Sequence, residues 1–439
     1  MRNPARAMPL AFLVVMAIGT VLLAMPFAAQ DGRPTPLIDA AFTAVSATSV
    51  TGLITLDTAT HWSRAGQVII LVLIQVGGFG VMALATLLSV AVTGRLRLQA
   101  SLAAQTESHS QHLADVRRIP LRVALAVISV EAVVALMLTL RFRATYDSTW
   151  SEAIWQGVFH AISAFNNAGF GLATDNLVSF VGDPLIIVPL CLAVIIGGLG
   201  FPVLAELRRR LRRPRDWSVH LRVTLAGTGI LLVAGVASFA LLEWSNPETL
   251  EPLDLPTKVL ASITGGVMPR TAGFNSVDVT ALNPETYPVQ NVLMFIGGGS
   301  AGTAGGIKIT TFFLLAFMIW SEIRGETETV VGHRRIASAT QRQAMTISLL
   351  ALGVVAVGTL VIMVTTDHGL NAVLFETVSA FATVGLSAGI TPTVGVPGKI
   401  TLMVLMFVGR VGTITVGSAL ALKTVHRLYR LPEERPIVG

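Results

Sequence analysis

The sequence predicts an all-α polytopic membrane protein of four tandem units about one common axis, each a spanning helix, a re-entrant half-helix and a second spanning helix. Three observations predict it. Hydrophobic residues make up 53% and charged residues 13% of the 439, and apolar stretches of about 20 residues recur from Met8 to about Lys423. Between them lie four apolar runs of about a dozen residues, too short to cross a bilayer, each ending in a glycine-bearing loop. The pattern returns with a period of about 110 residues.

First helices are expected near 8–28, 119–141, 221–243 and 345–366, and half-helices at about 37–48, 151–165, 256–267 and 371–382. Second helices are expected near 66–94, 184–212, 288–322 and 399–424, which divides the chain into units 1–94, 95–215, 216–323 and 324–439. The units align internally. Ten residues before Gly52, Gly169 and Gly385 stand Phe42, Phe159 and Phe375, and six before them stand Ser46, Ser163 and Ser379. From each loop glycine to the next helix glycine the spacing is 25 (Gly52 to Gly77), 28 (Gly169 to Gly197), 24 (Gly273 to Gly297) and 24 (Gly385 to Gly409). Unit three departs most, with Ile263 in place of phenylalanine. Equivalent units of this kind surround a shared axis, here one central pore.

The net charge of +6 is explained by topology rather than by nucleic acid, because no soluble domain is left to present it. Arg95, Arg97, Arg117, Arg118 and Arg122 share one connection, Arg208, Arg209, Arg210, Arg212, Arg213 and Arg215 the next, and Arg324, Arg334, Arg335 and Arg342 a third. The positive-inside rule makes these cytoplasmic, together with both termini, which carry Arg2, Arg6, Lys423, Arg427 and Arg430. The opposite connections carry Glu248, Glu251, Asp254, Asp278 and Glu285. The run from Met8 to Ala29 also fits a secretory signal, but it exceeds the usual apolar core and supplies the first helix. Cys191 is the only cysteine, which excludes an internal disulfide and a cysteine metal site, and His61, His109 and His112 lack a ligand pattern.

The four loops read Val50-Thr51-Gly52, Asn167-Ala168-Gly169, Thr271-Ala272-Gly273 and Thr383-Val384-Gly385. A dehydrated cation needs several oxygens at fixed distance, and successive carbonyls converge only where glycine permits the turn. Each half-helix would aim the negative end of its dipole at the axis. A glycine after a short helix is also an ordinary C-cap, though four in phase are harder to explain so. Thr48, Thr51, Thr271 and Thr383 are candidates for added hydroxyl ligands or for caps. Asn166, Asn167 and Arg270 would tune entry or tie the loops down. Glu376 and His160 would brace the loops from behind or contact the ion directly, and Asp39 and Glu131 are candidate structural hydrogen-bond partners.

The third second-helix contains Gly297, Gly298, Gly299, Gly302, Gly305 and Gly306, each costing about 1 kcal/mol relative to alanine, so it should break. A phosphate-binding loop is excluded, because Lys308 follows Ile307 rather than glycine and Ile309 stands where serine or threonine is required. Arg410 lies in an otherwise uncharged spanning segment, where it faces a pathway or pairs with a carboxylate.

On these residues the chain resembles, over essentially its whole length, the membrane subunit of the Trk/Ktr/HKT potassium transporter superfamily, and within it the KtrB-type branch, which has no extra helices before the first unit. The resemblance implies a potassium filter formed by Val50, Thr51, Gly52, Asn167, Ala168, Gly169, Thr271, Ala272, Gly273, Thr383, Val384 and Gly385. It implies an intramembrane gating loop from Gly297 through Lys308, including Ser300 and Thr303, with Arg410 touching that loop and adding a positive barrier. Glycine in all four loops favours potassium, as the resemblance implies, since some relatives with serine in the first loop pass sodium. Implied too are potassium as the transported ion, sodium left open as an activator, no covalently bound cofactor, and a place in the cytoplasmic membrane among lipid. The implied assembly is a homodimer on a cytosolic ring of nucleotide-binding, KtrA-like RCK subunits. Connections 95–122, 205–222 and 323–342 are docking candidates, although solvated positive-inside loops explain them equally. An ion-coupled secondary transporter with a midplane solute site is the alternative; it explains the broken helix but not four short segments in phase. An intramembrane enzyme lacks a Ser/His, paired-Asp or His-Glu motif at membrane depth.

Overall fold

Four short helices, Leu37–Ser49, Trp150–Phe165, Leu255–Val267 and Leu370–Ala382, form at the expected half-helix positions in the computed structural model, which describes residues 4–80, 82, 119–332 and 334–412. Two of the starts are locally encoded. Thr149 and Glu152 form a reciprocal capping box in the second, and Pro256 opens the third, where a missing N–H costs nothing. All four run into a residue with left-handed backbone: Val50, Asn167, Thr271 and Thr383, at φ 59°, 61°, 67° and 51°.

The first helices are Pro4–Ala24, Ile119–Thr145, Val219–Glu243 and Ser338–Thr365. Four described helices are long and apolar enough to cross a membrane unbroken: Leu121–Thr145, Val219–Glu243, Ser338–Thr365 and Gly395–Gly412. Their outward faces remain apolar, with Leu125, Leu349 and Val364 exposed, as contact with lipid tails requires.

The second helices depart from the regular expectation. The first is Arg64–Gly80, and most of its expected continuation to 94 lies outside the described residues. The second, expected unbroken over 184–212, is two helices, Pro184–Leu199 and Phe201–Arg210, meeting at 95°. Gly200, at φ 89°, makes the corner, and a Cβ there would come within 2.6 Å of the Ser300 carbonyl oxygen, so the bend makes room for unit three's loop. The third breaks as expected, into Thr286–Phe295 and Ile309–Ile323 on either side of loop 296–308. The fourth runs Gly395–Phe407 into a π-helical turn, Val408–Gly412, and its expected remainder to 424 lies outside the described residues. So do Arg2, Arg95, Arg97, His109, His112, Arg117, Arg118, Lys423, Arg427 and Arg430. A two-residue antiparallel pair, Val330–Val331 with Arg334–Arg335, follows unit three; it is too short to leave an alternating pattern in the sequence.

The apolar cores lie between units. Phe42 packs in the core shared by units three and four, Phe159 in the core of unit one, and Phe375 beside unit three, with its ring 5.2 Å from that of Tyr287. Ile263 packs likewise against unit two. The in-phase aromatic position is thus a plug that each short helix inserts into the preceding unit. Between the last unit and the first, Lys399 pairs with Asp39 at 2.7 Å, each 13% exposed. That pair ties the end of the chain to its beginning.

Candidate functional site

The four loop glycines face one another in a closed cycle. A Cβ on Gly52 would strike the Ala168 carbonyl oxygen, on Gly169 the Ala272 oxygen at 2.8 Å, on Gly273 the Val384 oxygen, and on Gly385 the Thr51 oxygen. Each clash is with the residue before the next unit's glycine. Units one to four therefore form a ring whose backbone is too tight for any side chain. In every loop a left-handed residue precedes the glycine by two, and the glycine itself has φ 95°, 70°, 73° or 96°. The residue between them has no positive φ, so the hand alternates along three residues, as it does in no regular helix or strand.

The in-phase serines hold these loops. Ser46 Oγ accepts from the Gly52 N–H and Ser379 Oγ from the Gly385 N–H, both at 3.1 Å, while Ser163 Oγ donates to the Phe170 carbonyl at 2.8 Å. The backbone carbonyls of the same serines accept from Thr51, Val384 and Ala168 at 2.8 Å. Unit three, with Val267 at the serine position, closes instead on the Met268 carbonyl. The in-phase helix glycines have a matching cause. Gly77, Gly197 and Gly409 lie against the carbonyls of Thr48, Phe165 and Phe381, each four residues before a loop glycine, with no space for a Cβ. The corresponding glycine of unit three, Gly297, lies against Gly305 of the glycine-rich loop.

That loop is a closed excursion. Its neck is pinned by Gly297 N–H to Ile307 O, Ile307 N–H to Phe295 O and Ile309 N–H to Gly298 O, at 2.9, 3.1 and 3.0 Å. Its arm hangs on the corner of unit two, with Gly299 N–H donating to Gly198 O (2.8 Å) and Thr303 N–H to Gly197 O (3.1 Å). Three cationic side chains clamp it. Arg270 Nη2 donates to Gly297 O at 2.8 Å, Lys308 Nζ to Ala304 O at 2.6 Å, and Arg410 Nη1 to Thr303 O, while Arg410 Nη2 reaches Gly77 O at 3.4 Å. Among the described residues none of the three is ion-paired, so the carboxylate-paired reading of Arg410 does not describe it. Arg270 and Arg410 are 6% and 3% exposed, and the hydrogen bonds described for them go to backbone carbonyls.

On the opposite side the four glycines floor a cavity of about 410 Å³ that also includes Asp57, Asp175, Asp278 and Ser387. Those carboxylates stand five, six and five residues after their loop glycines, a spacing that is present in the sequence. Loop glycines meet the cavity, while residues four and two earlier meet the second helices and the glycine-rich loop. The order along the axis is cavity, glycine ring, glycine-rich loop.

The remaining candidates are supports. Glu376 is fully buried and accepts from the hydroxyls of Ser387 and, at 2.8 Å, Thr391, which ties the chain beyond the fourth loop back to its short helix. His160 bonds the Gln156 carbonyl at 2.8 Å and reaches the Leu172 N–H at 3.4 Å. Glu131 accepts from Gln75 (3.2 Å) and Asn166 (3.0 Å), behind the second loop. The Thr51 hydroxyl pairs with Ser49 at 2.7 Å; those of Thr48, Thr271 and Thr383 are buried without a described protein partner. His61 bonds Thr35 at 3.0 Å, and no group of three His, Cys, Asp or Glu fit for a metal occurs among the described residues.

A family model described as TrkH, cation transport protein, matches residues 2–424. The chain is 38% identical over 437 residues to the Ktr system potassium uptake protein B of Bacillus subtilis (strain 168), covering 100% of this chain and 97% of that protein. It is 35% identical to the protein of the same name from Vibrio alginolyticus, covering 99% and 94%. Among solved structures, the potassium transporter TrkH from Vibrio parahaemolyticus superposes with a TM-score of 0.75 at 16% identity, covering 97% of this chain and 85% of that one.

Proposed function

Since the chain belongs to the TrkH family of cation transport proteins, we propose that it takes up potassium through the ring of Gly52, Gly169, Gly273 and Gly385, with loop 296–308 as its gate. The observation that carries this reading is the cyclic approach of the four glycines. Carbonyls from Val50 to Gly52, Asn167 to Gly169, Thr271 to Gly273 and Thr383 to Gly385 replace water around the ion, and glycine is the residue that lets them converge. Asp57, Asp175 and Asp278 raise the local cation concentration at the outer mouth. The glycine-rich loop, held by Arg270, Lys308 and Arg410 on the other side of the ring, obstructs the path and adds positive charge to it.

The chain is a multi-pass membrane protein. In our reading its arginine-rich connections, such as Arg208 to Arg215 after the unit-two corner, face the cytoplasm and offer a surface to a second copy and to a nucleotide-binding ring. Purified protein in liposomes tests the function, with potassium, rubidium and sodium uptake compared side by side. Potassium and rubidium should enter faster than sodium; well-folded protein that carries no potassium would refute it.

A further inference from the structure

The glycine-rich loop does more than lie under the ring. Thr303 Oγ1 lies 2.8 Å from the side-chain oxygen of Asn167 and 3.2 Å from the Phe165 carbonyl, so its hydroxyl reaches both the left-handed residue of the second loop and the end of the helix before it. Arg270, adjacent to the left-handed Thr271 of the third loop, reaches the neck of the glycine-rich loop at Gly297 O. Gly305 packs on the Ala382 carbonyl and the Thr383 hydroxyl of the fourth, leaving no room for a Cβ. The first loop is held differently, by Ser46 and Ser49 of its own short helix. Three of the four ring loops thus take part of their support from the segment that must move.

Resting on the filter and gate reading above, we infer that Thr303 and Arg270 are positioning residues for ion selectivity: the seated gate loop templates the second and third filter loops, and potassium preference weakens when it lifts. The second and third loops are those with an extra dependence. Asn167 holds left-handed backbone without being glycine, and its side-chain nitrogen has no described protein partner, so the Thr303 hydroxyl is its side chain's bond to the gate. The third loop lacks the in-phase serine that holds the others, and Arg270 bridges it to the gate instead.

The test is the potassium-to-sodium uptake ratio of Thr303→Val and Thr303→Ser in liposomes, with Gly385→Ser as the control for the filter itself. Valine keeps the shape and removes the hydroxyl; one lost hydrogen bond predicts a ratio lower by roughly two- to tenfold, with serine restoring it. Arg270→Gln should lower the ratio independently, and it decides the matter if Thr303→Val does not fold. A ratio unchanged within twofold in the folded variants, while Gly385→Ser collapses it, overturns the coupling and leaves the filter standing. An unchanged ratio in Gly385→Ser overturns the filter reading and the coupling with it.

Discussion

Replacing each ring glycine by serine should damage selectivity in an order that the backbone sets. At Gly385 the new Cβ would overlap the Thr51 carbonyl oxygen and lie 3.0 Å from Gly52 Cα, in a backbone at φ 96° that residues with a Cβ rarely adopt. The conformation alone costs about 1–3 kcal/mol. Relief requires the Thr51 carbonyl, one of the proposed ligands, to move by several tenths of an ångström or more. If half of that strain separates a potassium-fitted ring from a looser one, the potassium-to-sodium ratio falls about two- to tenfold. Gly52 and Gly273 meet equally close oxygens, whereas at Gly169 the nearest atom would be 2.8 Å away and φ is 70°, closer to the ordinary left-handed well. Gly169→Ser should therefore be the mildest of the four. Uptake of potassium and sodium by reconstituted protein, each variant checked for a single elution peak in detergent, gives the four ratios. A Gly169→Ser ratio at or below that of Gly385→Ser would refute the reasoning, because the ring would not be limited by the approach of these backbones.

Three further outcomes are expected. Arg410→Ala removes the donor to Thr303 O, a charge-assisted bond of about 1.5–3 kcal/mol, and should raise regulator-free potassium flux about tenfold; lower flux in well-folded protein counts against the gate. Neutralising Asp57, Asp175 and Asp278 together to asparagine should slow uptake several-fold at low ionic strength and hardly at all near 1 M salt, and a loss that ignores salt would show that the carboxylates act structurally. Lys399→Met and Asp39→Asn should each lower the thermal midpoint, and the double variant should lose less than the sum by about 1–3 kcal/mol; additive losses would mean that this pair does not close the ring.

Much of the fold is legible along the chain because its signals are local. Run length separates spanning from non-spanning helices, and the recurrence of Phe, Ser and Gly at fixed offsets fixes their phase; the four short helices start and end within a residue or so of where counting puts them. Six glycines in one stretch likewise dictate a broken helix. The corner at Gly200 is not legible in this way. A single glycine is tolerated in a spanning helix, and this one bends because the loop around Ser300, about 100 residues later, occupies the space beneath it.

The clamps belong to the same class. Thr303 meets Asn167 from 136 positions away and Arg410 meets Thr303 from 107, and no periodicity links residues of such different types. Sequence alone determined that this protein has four in-phase glycine loops. Only the tertiary structure decided that the four close into one cycle with Gly385 against Thr51, and that the glycine-rich loop rests against the second and fourth and is tied to the third through Arg270. Backbone conformation is a property of neighbours in the chain, whereas ring closure and clamping depend on which distant surfaces the packed helices bring together.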